Sequence, residues 1–168
     1  MAQLFKIGLW NVNEILNCKH EMEAFMTLNN TANLWVTFAI FIQLQNTALL
    51  FYNAVHPDTD RKKQAGAAIL VWHSIQYRLC KIETSHLQAV NIEVVDWFGP
   101  LTISAVYCPP NYPPNKVFFL NYFTELGNSF LTGGDINAKH MSWGYRLLPP
   151  GRGRLLYQVI QELELGIS

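Results

Sequence analysis

The chain has 168 residues, half of them hydrophobic and only 14% charged, a balance that excludes a disordered segment and fits one domain with a full core. Twelve Lys and Arg offset twelve Asp and Glu, so net charge supplies no field for a polyanion. The three cysteines, Cys18, Cys80 and Cys108, have no metal-ligand spacing and fit a reducing, intracellular compartment, nuclear or cytoplasmic, better than a disulfide framework. Met1 to Trp10 has no long apolar core of the secretory kind. Ala24 to Pro57 contains no Lys, Arg, Asp or Glu, but its densest apolar run, Leu34 to Ile42, is far shorter than the ~20 residues of a spanning helix. A buried strand is expected there, and no membrane partner.

Taken in order, Leu4 to Trp10 alternates Phe5, Ile7 and Leu9 onto one face that continues into Asn11 and Asn13. Leu16 to Leu28 has helical spacing, and strands are expected at Leu34 to Ile42 and around Leu49 to Val55. His56 to Asp60 forms a polar loop, followed by strands at Ala65 to Trp72 and Tyr77 to Ile82. Leu87 to Trp97 and Leu101 to Tyr107, joined at Phe98-Gly99-Pro100, predict a hairpin. A proline-rich loop covers Cys108 to Asn115, and a helix over Lys116 to Leu126 is closed by Gly127. A strand at Phe130 to Gly134 and a last helix from about Arg154 to Leu163 complete the series.

The most informative stretch is Leu131-Thr132-Gly133-Gly134-Asp135-Ile136-Asn137. In an extended backbone Leu131, Gly133, Asp135 and Asn137 share one face, apolar first and polar at the carboxyl end. Leu9 leading to Asn11, and Ala105 leading to Tyr107, repeat that arrangement. Side by side, the three strands would gather Asn11, Tyr107, Asp135 and Asn137 at one edge, where α/β proteins commonly place sites. One carboxylate with neutral amide oxygens suits a divalent cation such as Mg²⁺ acting on a phosphate, and Tyr107 could donate to the developing charge. Each residue alone is more often a turn or core residue; together they favour a site.

Trp10-Asn11-Val12-Asn13, Tyr107-Cys108-Pro109-Pro110 and Gly134-Asp135-Ile136-Asn137-Ala138-Lys139-His140 with Trp143-Gly144 resemble the endonuclease/exonuclease/phosphatase superfamily. With the longer runs Ile103 to Pro110, Gly133 to Gly144 and Gly153-Arg154-Leu155-Leu156-Tyr157, they resemble more narrowly the endonuclease domain of jockey-like non-LTR retrotransposons. The resemblance implies a single α/β domain over 1–168, a DNase I-like four-layer sandwich of two mixed β-sheets with outer helices. It implies Mg²⁺-dependent cleavage of DNA that primes reverse transcription, with no small-molecule cofactor. Asp135 and Asn11 are then the metal residues, Asn137 orients the phosphate or nucleophile, and Tyr107 binds the phosphate. His140, Trp143, Asn13 and Arg146 are the further substrate residues implied, Asn13 standing where other branches often have an acid.

The departures carry equal weight. The family's metal-binding glutamate ends its second strand, yet no carboxylate occurs between Glu23 and Asp58, and Glu14 lies in a different loop. The family's closing Ser-Asp-His has no counterpart, since no Asp follows Asp135 and no His follows His140. A truncated, diverged domain is therefore expected, lacking C-terminal strands of its second sheet and impaired or inactive in cleavage. The alternative is a non-catalytic nucleic-acid-binding or interaction module holding DNA with Tyr107, Trp143, Arg146, Arg152 and Arg154. A third reading is a remnant whose unpaired sheet edge prevents stable folding.

Overall fold

In the computed structural model the described residues are 8–9, 37–41, 66–69, 76–82, 87–96, 99–113, 115–146 and 151–167. Their strands are β1 (Gly8–Leu9), β2 (Thr37–Phe41), β3 (Gly66–Ala68), β4 (Arg78–Cys80), β5 (Gln88–Asp96), β6 (Gly99–Tyr107) and β7 (Phe130–Asp135). Their helices are α1 (Lys116–Glu125) and α2 (Gly151–Glu162), with a single 3-10 turn at Met141–Trp143. One sheet has the order β1-β2-β3, and a second has the order β4-β5-β6-β7. The second is mixed: β4, β5 and β6 run antiparallel, and β7 lies parallel to β6.

The predicted hairpin forms, with Gln88 opposite Tyr107 and Asp96 opposite Gly99. β6 starts two residues before the expected Leu101. Period-2 alternation explains why Ile103, Ser104, Ala105 and Val106 are all buried: successive side chains enter opposite cores. Ile103 and Ala105 pack with Val90, Ile92 and Val94 of β5 and with Ala67 and Ile69 from the end of β3. Val106 and Cys108 pack on the other face with Phe119, Tyr122 and Phe123 of α1 and Leu156, Val159 and Ile160 of α2. A strand covered on both faces reads as a continuous apolar run, which is what Ile103 to Val106 approximates.

α1 begins where Asn115 caps it, its side chain accepting from Phe118 N at 2.8 Å. Phe119, Tyr122 and Phe123 lie three and four apart and so form one buried stripe. It ends as expected, with the Gly127 amide bonded to Thr124 O at 3.1 Å. α2 starts three residues before the expected Arg154. Gly151 and Gly153 are weak helix formers, and contacts outside the helix decide this first turn, as the site geometry below makes plain.

A buried polar row crosses the helix-facing side of the sheet. Asn91 of β5, Ser104 of β6 and Thr132 of β7 are in register. The Ser104 hydroxyl bonds the Tyr122 hydroxyl, while Asn91 Oδ1 is buried without a partner. Burial pushes the Tyr122 phenol up to about 12, against the opposing pull of the Ser104 and Thr132 hydroxyls. An unfolded tyrosine titrates near 10, so between about pH 10 and 12 the unfolded chain releases a proton that the folded chain keeps. This contribution is complete below about pH 10 and lost as pH rises towards 12, about 2–3 kcal/mol in all. Urea melts from pH 8 to 11.5 should therefore fall more steeply for the parent than for Tyr122→Phe; equal slopes would remove Tyr122 as the cause.

Several expectations meet the structure only in part. The strands read at Leu34 to Ile42, Ala65 to Trp72 and Tyr77 to Ile82 are represented by Thr37–Phe41, Gly66–Ala68 and Arg78–Cys80. The helix read over Leu16 to Leu28 and the strand around Leu49 to Val55 lie outside the described residues. Among the described residues, no helix is long and apolar enough to cross a membrane.

Candidate functional site

The parallel pairing of β6 with β7 sets Tyr107 directly beside Asp135, at the carboxyl ends of both strands. Alternation places both on the face shared by Ile103, Ala105, Leu131 and Gly133. Burial, and then the Asp135 carboxylate, hold the Tyr107 phenol above its ordinary pKa, with Arg152 pulling the other way. Tyr107 is thus a protonated hydrogen-bond donor at neutral pH, next to an anion.

Beyond the strands the two chain segments are stitched together. Cys108 N donates to Asp135 O at 2.9 Å, extending the ladder by one bond. Asn137 N donates to Asp135 Oδ1 at 2.7 Å, and Asn137 Nδ2 reaches Cys108 O at 3.0 Å. Asn137 adopts φ 50, a left-handed conformation that Asn tolerates better than most residues. The expectation that Asn137 continues the face of Asp135 is therefore corrected: the strand ends at Asp135, and Asn137 turns back towards the proline loop. Leu131, expected in a buried strand, is 37% exposed. In the order of the described strands β7 is terminal, with no further strand over its flank.

Asn11 and Asn13 lie outside the described residues. β1, the strand that precedes them, pairs with β2 in the other sheet, so it is not a neighbour of β6 and β7 as a single row of three strands would require. In its place the structure brings up Gln88. It stands opposite Tyr107 on β5, making a row Gln88, Tyr107, Asp135 across three strands. Its Oε1 is buried without a partner. The hairpin register, counted back from Gly99, contained that signal.

His140 was expected at the substrate; in the structure its Nδ1 accepts from Ser142 N at 3.3 Å, capping the 3-10 turn. Its ring stacks on Tyr157 of α2 with centroids 4.1 Å apart, and Trp143 closes the cluster at 5.4 Å. Trp143 Nε1 is buried without a partner. Trp143 also lines a cavity of about 360 Å³ with Asp135, Asn137, Leu156, Ile160 and Ile167. Arg146 and Arg154 are exposed. Arg152, counted among the DNA-holding side chains, instead points its guanidinium at backbone carbonyls of both site loops, bonding Pro109 O at 2.9 Å and Ile136 O at 3.1 Å. A guanidinium spent in this way is not available to a phosphate.

The donors present are those a hard cation accepts, though few. Among the described residues no group of three or more His, Cys, Asp or Glu could hold a metal. Asp135 is the carboxylate of the row, and the orphaned Gln88 Oε1 is a buried neutral oxygen two strands away. Mg²⁺ keeps several waters and is often bound by one or two carboxylates, so Asp135 is the described residue of the row that could take part in holding one.

The structure superposes on the endonuclease domain of TRAS1, a telomere-specific non-LTR retrotransposon, with TM-score 0.69 over 95% of this chain and 70% of that one, at 17% identity. The fold is thus that of a retrotransposon endonuclease domain. In sequence, the chain is 31% identical over 157 residues to the RNA-directed DNA polymerase from mobile element jockey of Drosophila funebris. It is 31% identical over 163 residues to the Drosophila melanogaster jockey polymerase, and 28% identical over 160 residues to the probable polymerase from transposon BS. It is similar to these mobile-element polymerases, matched over 92% of its own length and spanning 17% of theirs. No family model matches the chain.

Proposed function

We propose that this chain is a phosphodiesterase domain of the retrotransposon endonuclease type, acting on DNA and impaired in cleavage. The in-register placement of Tyr107 beside Asp135 at the carboxyl edge carries the reading. The fold completes, on this reading, a four-layer sandwich with helices outside both sheets. Asp135 and Asn11 would hold Mg²⁺. Bound there, the ion would supply charge neutralisation at the scissile phosphate. Tyr107 donates a hydrogen bond to a phosphate oxygen, Asn137 holds the turn that orients it, and Trp143, Asn13 and exposed Arg146 contact the strand. His140 acts on the substrate only indirectly, through the 3-10 turn it caps.

Impairment follows from the missing glutamate. Metal activation is worth several kcal/mol of transition-state stabilisation. With no carboxylate between Glu23 and Asp58 to stand as the metal-binding glutamate, that contribution falls. The test is a thermal melt with and without Mg²⁺, for the parent and Asp135→Ala. At ten times its dissociation constant the ion should stabilise the parent by about 1.4 kcal/mol, a shift of about 2–5 °C, and the variant not at all. Equal shifts in both, or none in the parent, would reject the metal site. Nicking of supercoiled DNA that Asp135→Ala abolishes would instead show the activity to be intact. The second reading, a non-catalytic DNA-binding module, keeps exposed Arg146 and Arg154 but loses Arg152; salt-dependent binding without Mg²⁺ response or nicking would favour it.

A further inference from the structure

Arg152 occupies the first turn of α2, where the helix dipole disfavours a cation, and that turn contains no acidic residue. Its guanidinium finds its compensation elsewhere. Nη1 donates to Ile136 O at 3.1 Å and Asn137 O at 3.5 Å, on the segment that follows Asp135. Nη2 donates to Pro109 O at 2.9 Å, Pro110 O at 3.1 Å and Tyr112 O, on the segment that follows Tyr107. One planar fork therefore bridges two loops 24 or more residues apart in sequence. The proline loop has few donors of its own, since Pro109, Pro110 and Pro113 lack an N–H. Within the loop Tyr112 N serves Pro109 O, and the guanidinium, with several fixed donors in one plane, serves the carbonyls of Pro109, Pro110 and Tyr112 at once.

We propose that Arg152 is a positioning residue, which clamps the proline loop to the Asp135–Asn137 turn and so fixes Tyr107 and Asp135 relative to each other. The clamp acts beside the direct stitches, Cys108 N to Asp135 O and Asn137 Nδ2 to Cys108 O, and closes the same gap from the helix side. Its guanidinium is also close enough to oppose the upward shifts of Tyr107 and Cys108. A lysine keeps the charge but replaces a planar fork with one point donor group, so it cannot hold both loops. The importance of the clamp for catalysis rests on the proposed nuclease reading, but its geometry does not.

Cys108 provides a readout independent of activity. It is fully buried at the root of the proline loop, and burial raises its thiol pKa. In a Cys18→Ser, Cys80→Ser background it is the one remaining thiol. Its rate of reaction with 5,5′-dithiobis(2-nitrobenzoate) under native conditions measures opening of the clamp, and a urea melt of the same sample measures global unfolding. Arg152→Gln and Arg152→Lys should each accelerate labelling at least ~10-fold beyond what the change in global unfolding accounts for. Unchanged protection overturns the proposal, and so does acceleration that only tracks global unfolding. Loss of a cooperative melt in the lysine variant also overturns it, because the side chain would then hold the whole fold rather than two loops. A missing Mg²⁺ response alongside the expected labelling would sink the nuclease reading and leave the clamp standing.

Discussion

Gly134→Ala is expected to cost on the order of 3–5 kcal/mol and to leave little folded protein at 37 °C. The residue has φ +144, where an L side chain is strained, and a Cβ built there would lie 1.8 Å from the carbonyl oxygen of Val106. That oxygen belongs to the backbone of β6, the strand paired in register with β7, so no rotamer change relieves the collision. Relief requires the two strands to separate at the step before Tyr107 and Asp135, which would break the pairing on which the site depends. Urea melts of parent and variant measure the loss. A change below about 0.5 kcal/mol, the scale of an ordinary surface substitution, would mean that the close approach is absent in solution.

Gly153→Ala should cost about 2–4 kcal/mol by a different route, overpacking between a helix and a loop. A Cβ at this buried position would come within 1.8 Å of Lys139 O and 2.6 Å of Lys139 C. α2 thus rests its backbone directly on the segment between Asn137 and His140. Pushing it away should also slacken the neighbouring Arg152, so the Mg²⁺-dependent shift of the melt should shrink along with stability. Gly151→Ala is the internal comparison, because nothing lies within 4 Å of a Cβ there. At that position the better helix propensity of Ala should leave stability unchanged or raise it by up to about 1 kcal/mol. Equal effects at 151 and 153, read from paired urea melts, would contradict the packing described.

Both substitutions bear on how the site is held rather than on what it contains. The chemistry-bearing groups sit on rigid strand ends, while the segments that follow them are loops rich in proline and polar residues. Such loops hold geometry only where something ties them, and here the ties are Asn137, Arg152 and the bare backbone of Gly153. The His140–Tyr157 stack adds a fourth contact between the same helix and the same loop. α2 therefore serves the site as a brace, although it presents no reacting group to it.

Much of this was legible in the residues themselves. Alternation along 88–107 and 130–135 encodes which side chains share a face, so the hairpin and the polar carboxyl edge with Tyr107 and Asp135 could be read directly. Asn115 and Gly127 bounded α1 through local hydrogen bonds that span only a few residues. The motif spacing led to the retrotransposon resemblance that the fold and the related polymerases support. Which strands are neighbours was decided only in three dimensions: β7 pairs with β6, whereas β1 pairs with β2 in the other sheet. The same holds for Asn137 turning out of the strand face, for Gln88 joining the row, and for Arg152 facing the loop carbonyls. Periodicity reports the direction of a side chain relative to its own backbone. It says nothing of what a long side chain on a helix some forty residues away will find when it gets there, and that depends on packing alone.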